Sequence, residues 1–345
     1  MKLYATVIPG LEDIASAEVV ARVTGAHVLR EQRGRVYFDV AGDLSPAFGL
    51  RSIMNVFALA AERDDVPPDA SGLACLEQWL AGTDLDAEVT LHRSIYGWDE
   101  PPRFRVTGAR TGAQEYRSPD VAAAAGAGIK ARYGWPVSMK QHDLEVLVRV
   151  QGARAEVSLR LSPESLGKGG RVSHRPASLN STVAYAIGVI SEPQPGEVFV
   201  DPMCGAGTTL LERARLGEAV LLGGDRYAGP LHMARENLAA NGVTAYLAQW
   251  NAARLPLAAE SVDKLVCNMP WGRRIGSYSN NQWLYREFVC DLVRVMKPEG
   301  KAVLLTLERR LLTHVLERHT EVRLTGVRAV ALGGLEPAIY EVRRM

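Results

Sequence analysis

The chain has 345 residues, 47% of them hydrophobic, with 40 Lys and Arg against 39 Asp and Glu and 4 cysteines. That content fills more than one core and excludes a disordered or low-complexity chain. No apolar run reaches membrane-spanning length, and Met1-Lys2-Leu3-Tyr4-Ala5-Thr6 is expected to open a strand rather than a signal peptide. Cys75, Cys204, Cys267 and Cys290 have neither C-x-x-C nor Cys/His ligand spacing. The expectation is a reducing, cytoplasmic setting with no structural zinc, no other metal and no disulfide frame. The net charge of +1 hides an asymmetry. Residues 1–100 carry 8 Lys/Arg against 16 Asp/Glu, residues 101–175 carry 13 against 6, and residues 176–345 carry 19 against 17. A basic middle between acidic and neutral parts suits a polyanion-binding module, although a charge run is more often a solvated face.

The first residues predict a small α/β unit, 1–66. It has a strand at Leu3–Val7, a helix with the stripe Leu11, Ile14, Ala15, Val19 and Val23, and a hairpin of Val28–Glu31 with Val36–Val40. Asp64-Asp65-Val66-Pro67-Pro68-Asp69 marks a break. A second unit, 67–163, is expected to hold a helix at Ser71–Leu80 and strands at Glu88–His92 and Arg103–Thr107. An Ala-rich helix capped by Ser118 follows, then a hairpin of Leu144–Val150 with Ala155–Leu161. Its basic residues Arg103, Arg105, Arg110, Arg117, Lys130 and Arg132 sit on the strand–loop–helix part and are candidates for gripping a polyanion. A Gly-rich linker, 164–178, brings Lys168, Arg171 and Arg175, which could also hold phosphates.

From about residue 179 to 345 the pattern repeats β-α-β-α, as in a parallel, doubly wound sheet. Val198–Asp201 reads as a buried strand running into Pro202-Met203-Cys204-Gly205-Ala206-Gly207-Thr208-Thr209 and a helix. A G-x-G turn brings backbone close to a ligand, yet a dinucleotide fingerprint needs a third glycine where position 210 is Leu. A cofactor without a pyrophosphate does not require it. Asp225, with Arg226 beside it, ends the next strand about two dozen residues on, where a carboxylate can accept both ribose hydroxyls. The third strand leads to Asn251-Ala252. The fourth, Asp263–Cys267, ends at Asn268-Met269-Pro270-Trp271-Gly272. Taken alone that is a strand closing in an Asn-x-Pro turn. In context the Asn268 side-chain carbonyl and a Met269 or Pro270 carbonyl are acceptors beside a flat aromatic, which suits an exocyclic amino group on a nucleobase.

F-R-V-T-G-A-R-T-G at 104–112 with Y-R-S-P-D-V at 116–121 resembles a THUMP domain, a module that RNA-modifying enzymes use to grip RNA. P-G-L-E-D-I-A-S-A-E-V with G-R-V-Y-F is similar to the small ferredoxin-like domain before THUMP in RNA methyltransferases. D-P-M-C-G-A-G-T at 201–208 with N-M-P-W at 268–271 resembles class I methyltransferases acting on exocyclic amines. Met269 stands where the first Pro is usual, a variant similar to THUMP-containing tRNA guanine-N2 methyltransferases. The resemblance implies a seven-stranded class I α/β methyltransferase domain behind the two smaller units. It also implies S-adenosyl-L-methionine as donor and a monomer acting on a guanosine in the tRNA acceptor stem, at position 6. By the same resemblance Asp201, Met203, Cys204, Gly205, Gly207, Thr208, Asp225, Arg226, Asn251 and Ala252 hold the cofactor. Asn268, Met269, Pro270 and Trp271 would form the catalytic turn. Asn251 departs from the family's usual Asp. Guanine-N2 methylation of rRNA, N6-adenine methylation and a non-catalytic RNA-binding factor remain alternatives. A 5-methylcytosine route through Cys204 or Cys267 is rejected because a buried thiol is the default at strand ends. A thiouridine synthase is disfavoured because no S-G-G-x-D-S loop is present.

Overall fold

The computed structural model describes residues 1–99, 101–163, 165–168, 179–272 and 278–345, with backbone alone at 168 and 278–280. The amino-terminal half contains β1 (Lys2–Val7), α1 (Glu12–Arg22), β2 (Ala26–Gln32), β3 (Arg35–Val40), β4 (Ile53–Arg63), α2 (Ser71–Gly82) and α3 (Asp86–Tyr96). It continues with β5 (Phe104–Thr111), α4 (Ser118–Tyr133), β6 (Leu144–Gln151) and β7 (Arg154–Arg160). Its strands form one seven-stranded sheet in the order β2-β3-β1-β4-β7-β6-β5. The break expected near residue 66 therefore does not divide the sheet. β4 pairs antiparallel with β1 on one side and with β7 on the other, so backbone hydrogen bonds run through both units. No strand was expected at 53–63. Its run I-M-N-V-F-A-L-A-A-E-R lacks strict alternation because the pairing shifts register between Leu59 and Ala61.

Two expectations in this half need correction. Residues 88–92 are helical, within α3, rather than a strand. The five-residue alternation hid a longer helical period: Glu88 and His92 are buried one turn apart, Leu91 and Ile95 pack on the core, and Gly97 ends the helix in the left-handed region at φ 61°. At α4, Arg117 rather than Ser118 is the N-cap. Its backbone N–H donates to Asp120 Oδ2 at 2.7 Å, and Pro119 falls one position inside the helix start.

The carboxyl-terminal half contains α5 (Ser181–Ile190), β8 (Glu197–Asp201), α6 (Thr208–Ala214), β9 (Ala219–Asp225), α7 (Ala228–Ala240), β10 (Tyr246–Gln249) and β11 (Val262–Asn268). After these come α8 (Tyr278–Val295), β12 (Met296–Thr306), α9 (Arg309–Leu316), β13 (Val322–Ala329) and β14 (Ala338–Arg344). The sheet order is β10-β9-β8-β11-β12-β14-β13, parallel from β10 to β12 and antiparallel at β14. The chain starts in the middle at β8, runs out to β10, then restarts at β11 on the other side. Ligands in such sheets bind outside the strands' carboxyl ends where that order reverses, here between β8 and β11.

The two halves share one hydrophobic core. Leu11 at the N-cap of α1 and Ile14 and Val19 within it belong to the same buried cluster as Val183 and Ile187 of α5 and Leu211 of α6. Polar contacts lock the seam. Ala331 N–H donates to the Pro9 carbonyl at 2.9 Å, Arg328 takes the Gly10 carbonyl at 3.0 Å and pairs with Asp13, and Arg51 reaches the fully buried Glu212 at 2.5 Å. No helix of the described residues is long and apolar enough to cross a membrane.

Candidate active site at the carboxyl ends of β8 to β12

The glycine turn is built from below. Asp201 is 2% exposed; it accepts from Met203 N–H at 3.0 Å and from the Thr209 hydroxyl. Burial pushes its carboxyl up to about 7, with the charge of Asp225 adding to the effect. Both oxygens thus hold the turn from within, and the buried Asp201 supports the expected cofactor site from below. Above it, Gly205 and Gly207 sit at φ 53° and 77°, conformations that L side chains rarely adopt. A Cβ on Gly205 would meet nothing within 4 Å, so the turn presents bare backbone to open space.

Asp225 ends β9 facing that turn. One oxygen accepts from Gly205 N–H at 3.1 Å and the other from Tyr227 N–H at 3.0 Å. A carboxylate with about four acceptor directions keeps capacity for two hydroxyls after those bonds. Cys204 is buried, its thiol pushed up by burial, and its N–H donates to the Gly224 carbonyl at 2.8 Å. Met203 is partly exposed, Thr208 is buried at the first position of α6, and Arg226 is exposed. Asn251 uses its side-chain oxygen to accept from Ala253 N–H at 3.1 Å, closing its own turn beside buried Ala252. The oxygen that the family's Asp would present is therefore engaged, leaving the Asn251 amide N–H groups. Trp250, overlooked in the sequence, lies flat against Gly224 and donates Nε1–H to the Pro202 carbonyl at 2.9 Å. Any side chain at 224 would collide with that indole, which is why Gly223-Gly224 precedes the carboxylate. Open backbone at Gly205 opposite an unsaturated carboxylate fits an adenosine-bearing cofactor.

The second half of the site lies two strands away. Asn268 is the last residue of β11 and pairs in register with Leu305 of β12. Its Oδ1 is buried without a hydrogen-bond partner among the described residues, and so is Trp271 Nε1. Buried polar atoms are nearly always satisfied, so two orphans within four residues make this turn a candidate ligand site. Met269 is 1% exposed and held by its N–H to the Leu305 carbonyl at 3.0 Å. The Pro270 carbonyl is not free, contrary to expectation. It accepts from Tyr285 Oη at 2.8 Å and Asn281 Nδ2 at 3.2 Å, which fills both of its lone pairs. Tyr285 is in turn 2.6 Å from Thr306 Oγ1, which accepts from Glu308 N–H at 2.9 Å. The signal for this support was present as Asn281 and Tyr285, one helical turn apart on α8. Trp271 is partly buried and leans on the shared core, neither a core aromatic nor a loose one. Cys267 is fully buried and its thiol is held well up by burial, consistent with rejection of a cysteine nucleophile.

The basic residues of the middle divide into two groups. Arg103 and Arg105 pair with Asp143 and Glu145 at 3.0 and 2.8 Å. Arg110 caps the Gly112 carbonyl at 2.9 Å, Arg117 lies 3.5 Å from Asp120, Lys130 is exposed, and Arg132 is 4.0 Å from Asp84. They line the edge strand β5 and α4. The Lys168 side chain, Arg171 and Arg175 lie outside the described residues.

A family profile described as an RMKL-like methyltransferase domain matches residues 168–338, and a THUMP domain profile matches residues 96–160. A mouse protein named tRNA (guanine(6)-N(2))-methyltransferase THUMP3 is 27% identical over 99% of this chain and 88% of its own length. The Thermus thermophilus tRNA (guanine(6)-N2)-methyltransferase is 29% identical over the whole of both chains. The crystal structure of TrmN from Thermus thermophilus matches with a TM-score of 0.83 at 27% identity, covering 100% of this chain and 99% of that one. With an orphaned carboxamide at the end of its fourth parallel strand and a bare glycine turn beside it, this chain belongs to the THUMP-domain class I methyltransferases.

Proposed function

We propose that the chain transfers a methyl group from S-adenosylmethionine to the exocyclic N2 amine of a guanosine in tRNA. The target is the acceptor stem at position 6, the position carried in the names of its relatives. The observation that carries this is the buried, unpartnered Oδ1 of Asn268. Bound S-adenosylmethionine supplies an electrophilic methyl on a sulfonium. The Gly205–Gly207 turn, Asp225, and the Asn251 amide with Ala252 would hold its nucleoside part, with Met203, Cys204 and Thr208 lining the turn.

The guanine amine is a poor nucleophile because its lone pair is delocalised into the ring. Accepting one N–H at Asn268 Oδ1 and the other at the Met269 carbonyl holds the nitrogen in one orientation and stabilises the positive charge that develops on it. Tyr285 and Asn281 keep the Pro270 carbonyl occupied, so Pro270 supports the pair instead of belonging to it. A paired acceptor-stem base must be flipped out to reach this turn, and Trp271 walls the space it would enter. Its unpaired Nε1–H is available to an acceptor there. Arg110, Arg117, Lys130 and Arg132 contact backbone phosphates in this proposal, while Arg103 and Arg105 do so only by exchanging their carboxylate partners. The enzyme acts as a monomer in the cytoplasm, a setting that suits its four free thiols.

Incubating bulk tRNA and rRNA with labelled cofactor and mapping the methylated nucleoside tests the proposal. N2-methylguanosine confined to tRNA is the expected product. N6-methyladenosine, or label confined to rRNA, overturns the substrate assignment; RNA binding with no labelled product leaves only a binding factor.

A further inference from the structure

The carboxyl end of β12 leads straight into the site. Asn268, which closes β11, is paired in register with Leu305 of β12, and Thr306, Leu307 and Glu308 follow before α9 begins at Arg309. An acidic side chain just before a helix ordinarily serves that helix's free N–H groups. Glu308 makes no hydrogen bond to them. Its carboxylate has no hydrogen bond or ion pair among the described residues, and neighbouring Arg309 reaches away to the carbonyls of Glu336 and Pro337.

What the Glu308 carboxylate does approach is the turn after Asn268. A Cβ added to Gly272 would lie 3.0 Å from Glu308 Oε1 and 3.2 Å from Asn281 Nδ2. Gly272 also stands at φ 68°, so a side chain there would be strained and would press on the carboxylate. Glu308 is anchored from behind. Its N–H donates to Thr306 Oγ1 at 2.9 Å, and Thr306 is bound to the Tyr285 hydroxyl that holds the Pro270 carbonyl. One hydrogen-bonded unit thus carries two acceptors without partners among the described residues, Asn268 Oδ1 and the Glu308 carboxylate, at the ends of adjacent strands.

A pair of acceptors matches guanine and neither of the other nucleobases that carry an amine. Guanine presents its 2-amino group next to a ring N1–H, donor beside donor. The amino groups of adenine and cytosine each lie next to a ring nitrogen with a lone pair, which a carboxylate repels. We propose that Glu308 selects guanine: its carboxylate accepts the N1–H while Asn268 Oδ1 accepts an N–H of the 2-amino group. This inference rests on the guanosine methylation proposed above and adds the residue that excludes adenine. An ionised carboxylate accepts and has no proton to give, so the selection needs no moving part.

Two tRNAs ligated to differ only at nucleotide 6 test it. One carries guanosine; the other carries 2,6-diaminopurine, which keeps the 2-amino group but has a lone pair at N1. The wild type is expected to methylate the guanosine tRNA with a kcat/KM at least about a hundredfold higher. That is less than a fully buried site achieves, because Glu308 is partly exposed. Glu308→Gln, whose amide presents either an oxygen or an N–H, should lose activity on guanosine and gain it on diaminopurine, narrowing the ratio by about tenfold or more. A residue that only braced the turn would lower both rates together and leave the ratio alone. Equal use of the two tRNAs by the wild type overturns the proposal whatever the variant does, and so does an unchanged ratio in Glu308→Gln. Should Glu308→Gln fail to fold, Glu308→Asp, which withdraws the same charge by one methylene, is judged by the same ratio. A wild type that forms no N2-methylguanosine on the guanosine tRNA overturns the reaction and this inference with it; N2-methylguanosine formed with an unchanged ratio overturns the inference alone.

Discussion

Tyr285 donates its hydroxyl to the Pro270 carbonyl at 2.8 Å, so the turn that presents Asn268 is held from the following helix. The same hydroxyl lies 2.6 Å from Thr306 Oγ1 at the end of the neighbouring strand, which ties helix, turn and strand into one unit. Burial pushes the phenol's pKa up, so it stays a neutral donor across the working pH range. Tyr285→Phe leaves the ring and its packing in place. Steady-state kinetics should show kcat down by on the order of tenfold, the value of about one hydrogen bond, with KM for RNA little changed. A parallel rise in KM without loss of kcat would instead assign Tyr285 to substrate binding.

Asn268→Ala removes a buried oxygen that has no partner in the protein. The expected signature is opposite signs for function and stability. kcat should fall by on the order of 10²–10³, as for loss of one preorganised polar group. Thermal unfolding should be unchanged or raised, because an unsatisfied acceptor costs free energy in the fold. Undiminished turnover would remove Asn268 from the mechanism.

Asp225 both supports Gly205 N–H and, in the proposed complex, accepts ribose hydroxyls. Asp225→Ala should weaken cofactor binding by roughly 1.5–3 kcal/mol, the range for hydrogen bonds to a charged group. Calorimetry that returned wild-type affinity would contradict the ribose assignment.

Asp201 gives a pH test. Its folded carboxyl is raised from 3.8 to about 7. A raised carboxyl makes the fold bind more protons than the unfolded chain between those values. Its stabilising contribution is therefore complete below about pH 4 and is lost as pH rises through 7. The span amounts to on the order of 4 kcal/mol as an upper figure. Asp201→Asn should flatten this part of the stability profile, measured as urea midpoints at pH 5, 6, 7 and 8. An unchanged profile in that variant would assign the slope to other groups.

Arg110 and Arg132 lie on the proposed RNA path of β5 and α4, and neither has a close carboxylate partner: Arg110 is bound to a backbone carbonyl, and Arg132 is 4.0 Å from Asp84. Reversing both to Glu should weaken transcript binding and flatten its salt dependence by about two contacts. A wild-type salt slope in the double variant would move the path to another face.

Much of the site was legible before any coordinates. Buried strands ending in Asp201, Asp225 and Asn268 announce themselves as apolar runs closed by a polar residue, and an open parallel sheet brings such ends to one edge. The α3 helix was misread because five alternating residues cannot distinguish periods of 2 and 3.6. β4 was missed because a register shift breaks its alternation. Neither error touched the site, since both lie in the amino-terminal half.

Residue order alone determined the β-α-β succession, the glycine turn and the placement of an acceptor side chain at the end of β11, because these depend on local periodicity and near neighbours. Only the tertiary structure decided which acceptors remain open. Pro270 is taken by Asn281 and Tyr285, and Asp201 by Met203 and Thr209, whereas Asn268 Oδ1 is left without a partner among the described residues. Those bonds span 2 to 15 residues of sequence with no common spacing, and no spacing rule can foretell which of several nearby donors a folded chain brings within hydrogen-bond reach.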